Sequence, residues 1–201
     1  RGISFGNFLI KQVAEDLLKE RPSLKTFVTL SPIPGFADWL ADQRTNKDDH
    51  TILAPEDRTL LGLLDDPDWW VDADDEEALK PLMMRLAANY FIKAKASDGK
   101  PLDPVARFHL GNGARLERIN WMGDTSAKGI REAQGLMCNY KYELKDIEKN
   151  HEAFVNANTV VAARQITALA RPDRSRAKGD FLALPGLRTA RKPTEVSEGS
   201  D

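Results

Sequence analysis

The sequence predicts a fold of the α+β class, with a small number of strands among a larger number of helices. Apolar side chains recur at helical spacing in residues 6–21, which predicts an amphipathic helix. Residues 24–30 form a short apolar run that ends close to two prolines, and residues 114–121 alternate between apolar and polar side chains. Both patterns are typical of strands. We therefore expect a sheet that packs against several helices.

The overall composition is that of a folded globular protein and excludes several functional classes. The chain has 201 residues, 41% hydrophobic and 30% charged, which allows one domain with a substantial core. A formal charge of −2 leaves no global basic surface for nucleic acid. No apolar stretch is long enough to cross a membrane, so we expect neither nucleic acid nor membrane as a partner. The single Cys138 cannot form an intrachain disulfide and indicates a reducing compartment.

Proline delimits the first helix and the first strand. The helix of residues 6–21 ends at Pro22, and the strand of residues 24–30 stops at Ser31, where the sequence reads SPIPG. Because proline lacks a backbone N–H donor, the strand is not expected to continue through this segment. Ser31 should therefore lie on a stiff loop at the end of a strand, where functional groups are often found.

Three helices are predicted in the middle of the chain, at residues 36–40, 55–65 and 75–95. Pro55 is well placed in the first turn of the second helix. The acidic segment DADDEE suits the N-terminus of the third. The third helix is apolar on nearly all sides, so we expect it to be buried, with Pro81 either bending it or marking its first turn.

The second half of the chain predicts a short helix, a Gly-Asn-Gly turn and then the strand of residues 114–121. A pair of helices at residues 126–148 and 151–170 should follow. Beyond them the sequence is polar and contains proline and glycine. We therefore predict a domain of residues 1–170 and a disordered tail of residues 171–201.

Two residues stand out as candidates for a functional site, although each also has an ordinary structural explanation. Ser31 lies between a strand and two prolines, yet serine beside proline is common in turns. His109 lies between apolar residues before a glycine turn, where a histidine is more often a hydrogen-bonded core residue. His50 and His151 lie in polar segments and are expected to face solvent.

Few other patterns suggest chemistry. Gly2 and Gly6 precede the first helix, where glycine lets backbone amides approach a phosphate. Carboxylates cluster at residues 65–68 and 72–75, but they lack the spacing of a calcium-binding loop, and helix capping explains them. The Asp-Trp-Trp segment at residues 68–70 should pack in the core, because no basic patch accompanies it. We predict no metal, since no zinc-protease or paired-cysteine motif is present.

Three segments, taken in order, resemble the catalytic domain of the malonyl-CoA decarboxylase family. They are LSPIPGF at residues 30–36, RFHLGNGARLERINWMGDTSAKGI at residues 107–130 and GLMCNYKY at residues 135–142. Together with the glycine-rich helix start, the resemblance extends over residues 1–170. The combination of these motifs is specific to the family.

The resemblance implies a GNAT-like acyl-CoA-binding fold, with a central mixed sheet that opens around the coenzyme A arm and with inserted and appended helices. The loop that binds the coenzyme A pyrophosphate would comprise Arg1, Gly2, Ile3, Ser4, Phe5, Gly6 and Asn7. Two of these, Arg1 and Ser4, differ from the usual family residues, at positions where backbone amides do much of the binding. The upstream strands of the sheet and a helical N-terminal domain are expected to be missing from this chain.

The resemblance also implies an activity and the residues that perform it. The family decarboxylates malonyl-CoA to acetyl-CoA and CO2 through a thioester enolate, which controls malonyl-CoA levels in fatty acid metabolism. Ser31 matches the catalytic serine, in the position of proton acceptor, and His109 matches the catalytic histidine, which would give a proton to the α-carbon. The thioester itself takes up the electrons, so no cofactor is required. Asn112, Asn120 and Tyr140 lie in the matching motifs and are candidates for supporting roles.

Two alternative functions stay open. A GNAT-like fold also suits an acyl-CoA-dependent acyltransferase, which would need an amine acceptor and a base. The predicted helix at residues 75–95 could instead belong to a non-catalytic interaction module, and the family resemblance implies a homo-oligomer. The C-terminal sequence EGSD is not a peroxisomal address, so we expect a cytoplasmic protein, or a mitochondrial one if an N-terminal signal precedes the chain.

Overall fold

The computed structural model describes residues 6–46 and 52–171, with side chains from Ile10 onward. All of these residues lie in the first of two units into which the chain divides, Arg1–Arg171. Within the described ranges, eight α-helices accompany one sheet of three strands. The α+β class is therefore confirmed.

The elements follow one another in an irregular alternation of helix and strand. In chain order they are α1 (Gly6–Glu20), β1 (Phe27–Pro32), α2 (Phe36–Thr45), α3 (Pro55–Leu60), α4 (Ala73–Lys93), α5 (Pro104–Gly111), β2 (Arg115–Asn120), α6 (Ala127–Ala133), β3 (Met137–Tyr142), α7 (Ile147–Ala157) and α8 (Arg164–Leu169). Two short 3₁₀ helices, Leu61–Asp65 and Trp69–Val71, connect α3 to α4.

The sheet has the strand order β1-β3-β2, and both neighbouring pairs run antiparallel. β3 therefore lies in the centre, although it is the last of the three described strands along the chain. Ser31 on β1 pairs with Cys138, and Ile119 on β2 pairs with the same residue from the other side. A bulge between Leu116 and Arg118 shifts the register of β2. The mixed sheet implied by the family resemblance would require strands in addition to these three.

The two faces of the sheet differ in burial. Because side chains alternate along a strand, Ser31, Cys138 and Tyr140 share one face, and all three are buried. On the opposite face of β1, Val28 is 52% exposed and Leu30 is 60% exposed. β1 is an edge strand of the described sheet, with β3 as its one neighbour there.

The longest helix, α4, lies in the middle of the core, as its apolar composition predicts. Its largest fully buried side chains are Leu79, Met83, Leu86, Tyr90 and Phe91. Asp72 caps the helix by accepting hydrogen bonds from the backbone N–H groups of Asp74 and Asp75. Pro81 lies inside the helix and not in its first turn.

The neighbouring predictions for the middle of the chain are confirmed. Pro55 opens α3, which continues as a 3₁₀ helix to Asp65. The helix predicted from Phe36 is longer than expected and forms α2. Trp69 is buried and packs against Trp121 at a ring centroid distance of 5.7 Å, so the Asp-Trp-Trp segment does contribute to the core.

The prediction of one helix over residues 126–148 is wrong. α6 has only seven residues and is followed by Gln134 and Gly135, which adopt left-handed backbone conformations with φ of 51° and 76°. Such conformations end helices. The following residues form β3, in which every second side chain from Cys138 to Tyr142 is buried.

Two further elements differ from the predictions in extent. The helix predicted at residues 151–170 is divided, because α7 ends at Ala157 and the next residue, Asn158, has a left-handed φ of 49°. The strand predicted to stop at Ser31 continues through Pro32. A proline is tolerated there because β1 is an edge strand of the described sheet.

Some predictions concern residues that the structure does not describe. His50 and, apart from Arg171, the predicted tail lie outside the described ranges. Among the residues inside them, no helix combines the length and the apolar character needed to cross a membrane.

Candidate active site

β1 and α5 bring together the two residues that the sequence singles out. Ser31 lies on β1 and His109 on α5, 78 positions further along the chain. The Ser31 Oγ and His109 Nε2 atoms are 3.2 Å apart, within hydrogen-bond distance. The two residues are only 4% and 9% exposed. A buried serine in contact with a histidine is suited to proton transfer.

The segment that follows Ser31 is anchored in the core. Ile33 and Phe36 are fully buried, and the Phe36 ring meets Tyr90 edge-on at a centroid distance of 5.7 Å. A Cβ atom at Gly35 would lie 2.7 Å from the Tyr90 hydroxyl, so a side chain here would require Tyr90 to move. This close packing, together with the stiffness of two prolines, fixes the direction in which Ser31 points.

A buried carboxylate fixes the start of α5, the helix that carries His109. Asp103 accepts a hydrogen bond of 2.7 Å from the Ala106 N–H and acts as the N-cap of the helix. The Tyr90 hydroxyl donates to its other oxygen at 3.4 Å. Burial raises the pKa of Asp103 to about 6, although the backbone donors at the helix start oppose the change. Tyr90 thus supports both residues of the site, through its hydroxyl and through its ring.

The imidazole of His109 has a partner at each ring nitrogen. Nε2 faces Ser31, and Nδ1 lies 2.7 Å from the hydroxyl of Tyr142. The ring also stacks on Tyr140, with a centroid distance of 4.4 Å and an angle of 19° between the planes. Burial lowers the pKa of His109 to about 4. The imidazole is therefore neutral at pH 7 in the free protein.

Thr29 extends this arrangement along β1. Residues two apart on a strand share a face, and Thr29 Oγ1 lies 3.0 Å from Ser31 Oγ. Thr29, Ser31, His109 and Tyr142 thus form a continuous series of hydrogen-bonding groups, which we call the hydroxyl–imidazole chain.

Two members of the hydroxyl–imidazole chain, Thr29 and Tyr142, were missed by the sequence analysis. The two-residue period of a strand could have placed Thr29 beside Ser31. Tyr142 required the recognition of β3 as a strand, because only then do Tyr140 and Tyr142 fall on one face.

Of the three polar residues expected in supporting roles, Tyr140 is the one that the structure places against the pair. Its ring lies on His109, and burial raises the pKa of its hydroxyl well above the ordinary value. Asn112 donates to a carbonyl of its own helix, α5. Asn120 donates to Asn139 at 3.0 Å, on the other face of the sheet.

The remaining predicted residues lie away from the pair or outside the described ranges. His151 does not face solvent freely, because it is half-buried and its Nδ1 lies 2.7 Å from the carbonyl oxygen of Gly111. Of the predicted pyrophosphate loop, the structure describes only the backbone of Gly6 and Asn7, which open α1. In the part of the chain that is described, no group of three or more His, Cys, Asp or Glu side chains is placed to hold a metal ion.

Comparisons with known proteins agree with the motifs. The chain matches the family model for the malonyl-CoA decarboxylase C-terminal domain over residues 1–179. It is 37% identical to the mitochondrial malonyl-CoA decarboxylase of Anser anser anser, in a match that covers 83% of this chain and 36% of the relative. The protein of the same name from Rattus norvegicus is 35% identical, with 89% and 39% covered. The chain therefore spans less than two fifths of the length of these relatives.

Crystal structures of two bacterial malonyl-CoA decarboxylases share the fold. The structure from Rhodopseudomonas palustris is 56% identical with a TM-score of 0.80, and the match covers 84% of this chain and 38% of that one. The structure from Agrobacterium vitis is 55% identical with a TM-score of 0.79, and the match covers 86% and 42%. Motifs, sequence identity and fold thus lead to one conclusion, that this chain belongs to the malonyl-CoA decarboxylase family.

Proposed function

We propose that this chain supplies the catalytic serine and histidine for the decarboxylation of malonyl-CoA to acetyl-CoA and CO2, a reaction that controls malonyl-CoA levels in fatty acid metabolism. The observation that carries the proposal is the buried contact of 3.2 Å between Ser31 Oγ and His109 Nε2. The two residues come from distant parts of the chain, and each stands in a segment that matches a family motif.

Decarboxylation of a malonyl thioester requires few groups from the protein. When the carboxylate leaves as CO2, the electron pair of the broken C–C bond moves into the thioester carbonyl and produces an enolate. The protein has to hold the carboxylate out of the enolate plane, stabilise the oxyanion and supply one proton to the α-carbon. Each oriented donor to a developing oxyanion contributes about 3–4 kcal/mol. The electrons stay on the substrate, so the mechanism has no step for a separate cofactor.

His109 is the proton donor in this proposal. Because its pKa is about 4 in the free protein, the proton has to be taken up when the substrate binds. A malonyl carboxylate beside His109 raises the pKa of the imidazole by Coulomb attraction. The negative charge passes to the enolate when CO2 leaves. Once CO2 has left, the Nε2 proton gives up its hydrogen bond to Ser31 Oγ and passes to the α-carbon. This step yields acetyl-CoA and a neutral imidazole, and each turnover consumes one proton.

Ser31 binds the carboxylate of the substrate in this proposal. The protonated His109 donates from Nε2 to Ser31 Oγ, which places Ser31 in the acceptor position of the pair. Its own proton is then available for the malonyl carboxylate. This hydrogen bond sets the angle between the carboxylate and the thioester plane, which governs how well the breaking bond overlaps with the carbonyl.

The proposal extends to the binding of coenzyme A. Residues 1–7 would hold the pyrophosphate at the N-terminus of α1, where backbone amides face an anion. The three described strands would belong to a larger GNAT-like mixed sheet. The order of glycine loop, α1 and β1 supports the proposed pyrophosphate loop, and the unpaired edge of β1 in the described sheet supports the larger sheet.

We also propose a homo-oligomer. Location in the cytoplasm stays a prediction, whereas the two animal relatives are named as mitochondrial.

The test is the release of CO2 and acetyl-CoA from malonyl-CoA without an acyl acceptor, by this chain and by the full-length protein encoded by its gene. Ser31→Ala and His109→Asn should each lower kcat by about a hundredfold or more. The thermal unfolding midpoint and the affinity for acetyl-CoA should be retained. Thr45→Val is a matched control, because the Thr45 hydroxyl donates to carbonyl groups within α2.

Other outcomes would replace the proposal. If Ser31→Ala and His109→Asn both unfold the protein, the contact between the two residues is structural. If the folded protein binds acetyl-CoA, releases no CO2 and acylates an amine, it is an acyltransferase of the GNAT type.

A further inference from the structure

We infer that Thr29 is a positioning residue that directs the single proton of Ser31 toward the substrate. The inference rests on the proposed function of Ser31 and His109. It places Thr29 two hydrogen bonds away from the substrate, through Ser31, with no contact to the reacting atoms.

The first argument concerns the hydrogen-bonding capacity of Ser31. A serine hydroxyl has one proton to donate and two lone pairs that accept. Ser31 Oγ has two neighbours at hydrogen-bond distance, Thr29 Oγ1 at 3.0 Å and His109 Nε2 at 3.2 Å. If Ser31 donated to either of them, its proton would be used within the protein. If both donate to Ser31, both lone pairs are occupied and the proton is left for a third group.

The second argument concerns the protonated form of His109 that catalysis requires. An imidazolium carries a proton on each nitrogen, so Nδ1 donates to Tyr142 and Nε2 donates to Ser31. The proton of Ser31 then has two possible acceptors, the Thr29 hydroxyl and the malonyl carboxylate. A hydrogen bond to a charged acceptor is roughly twice as strong as one between neutral groups. Ser31 therefore donates to the carboxylate, and Thr29 donates to Ser31.

The third argument is that the fold holds Thr29 in place for this role. Thr29 pairs with Tyr140 across the sheet, and the Asn139 side chain donates to the Thr29 carbonyl at 2.8 Å. The side-chain hydrogen bond from Asn139 thus holds the backbone of Thr29 against β3 in addition to the backbone pairing of the two strands. The branched side chain of threonine has few rotamers, which limits the directions that its hydroxyl can take relative to Ser31.

The test compares Thr29→Val and Thr29→Ser with the wild type in the full-length protein. Valine keeps the branched shape and the strand preference of threonine but lacks the hydroxyl, whereas serine keeps the hydroxyl. We expect kcat/KM for malonyl-CoA to fall roughly tenfold in Thr29→Val and to stay within about threefold of wild type in Thr29→Ser. Thr29→Ala removes the same hydroxyl with less volume and should behave like Thr29→Val.

Acetyl-CoA distinguishes a positioning role from structural damage. It lacks the carboxylate that Ser31 binds, so its inhibition constant should be unchanged in Thr29→Val. Equal weakening of malonyl-CoA and acetyl-CoA, or a serine variant no better than the valine variant, would overturn the role of Thr29. So would an unchanged kcat/KM in Thr29→Val. A folded wild-type protein that releases no CO2 would instead reject the proposed function itself, and the role of Thr29 with it.

Discussion

His109 lies among neutral groups, and this environment determines its acid–base behaviour. Its two ring nitrogens meet the hydroxyls of Ser31 and Tyr142, and its face meets the ring of Tyr140. Burial disfavours the imidazolium and lowers the pKa to about 4. Burial also disfavours the charged form of Cys138, which pairs with Ser31 across the sheet. It therefore raises the pKa of the Cys138 thiol to about 12. Before substrate binds, none of these five residues carries a charge at pH 7.

This neutrality predicts how catalysis depends on pH. If His109 has to gain a proton before CO2 leaves, kcat/KM falls by up to tenfold per pH unit as pH rises above about 4, because ever fewer free molecules hold the proton. In contrast, kcat should stay constant up to the pKa of His109 in the substrate complex, which is higher than its pKa in the free protein. Steady-state decarboxylation measured from about pH 5 to about pH 8 checks this. His109→Asn should lose the slope, and a constant kcat/KM in the wild type would contradict substrate-linked protonation.

At the scale of elements, β3 shows where sequence patterns failed. Met137–Tyr142 contains no β-branched residue, which weakens its strand signal, and the predicted helix of residues 126–148 includes this segment. α3 and α4 were predicted correctly because Pro55 and Asp72 mark their starts locally. Ser31 and His109 could be found from family motifs. Their contact with Thr29 and Tyr142 depends on the register between β1 and β3, which no local pattern specifies.

The N-cap of α5 offers a test at this scale. Burial raises the pKa of Asp103 from 3.8 to about 6, so between these values the folded protein holds a proton that the unfolded chain releases. The resulting stabilisation is complete below pH 3.8 and is lost as pH rises to about 6. Asp103→Asn keeps a capping side chain but does not titrate. The free energy of unfolding of the wild type should therefore fall relative to Asp103→Asn across this window.

Two observations complete the test of Asp103. Asp103→Ala removes the cap and should lower the free energy of unfolding by about 0.5–2 kcal/mol at pH 7. Urea titrations at several pH values measure both effects. If the wild type and Asp103→Asn differ by a constant amount from pH 3.8 to about 6, the carboxyl of Asp103 keeps its ordinary pKa.

At the scale of the whole molecule, ion pairs join elements in two different environments. Arg85 of α4 contacts Asp57 of α3 at 2.6 Å and the carbonyl of Ile52 at 3.0 Å. The Asp57 side chain is 3% exposed. Arg44 of α2 contacts Asp65 at 2.5 Å, but the Asp65 side chain is 70% exposed. The two pairs have similar geometry and differ in burial.

Removal of the carboxylate should therefore have unequal effects at these two pairs. Asp57→Ala leaves a largely buried Arg85 without this carboxylate and should lower the free energy of unfolding by about 3–5 kcal/mol. Asp65→Ala should lower it by less than about 1 kcal/mol. Denaturant unfolding measures both, and kcat per folded molecule should be unchanged in each. Equal losses would show that burial does not decide the strength of these pairs.

The late position of β3 in the chain affects how the protein is made. A residue of β3 that bonds to Thr29 lies 110 positions further along. At about 5–20 residues per second, β1 leaves the ribosome on the order of ten seconds before its partner. During that time Val28, Leu30 and an unpaired backbone edge are open to other chains. Pro32 and Pro34 follow these apolar residues closely, and proline opposes the pairing of such a segment with strands of other chains. The prolines at the end of β1 thus also protect the newly synthesised chain from aggregation.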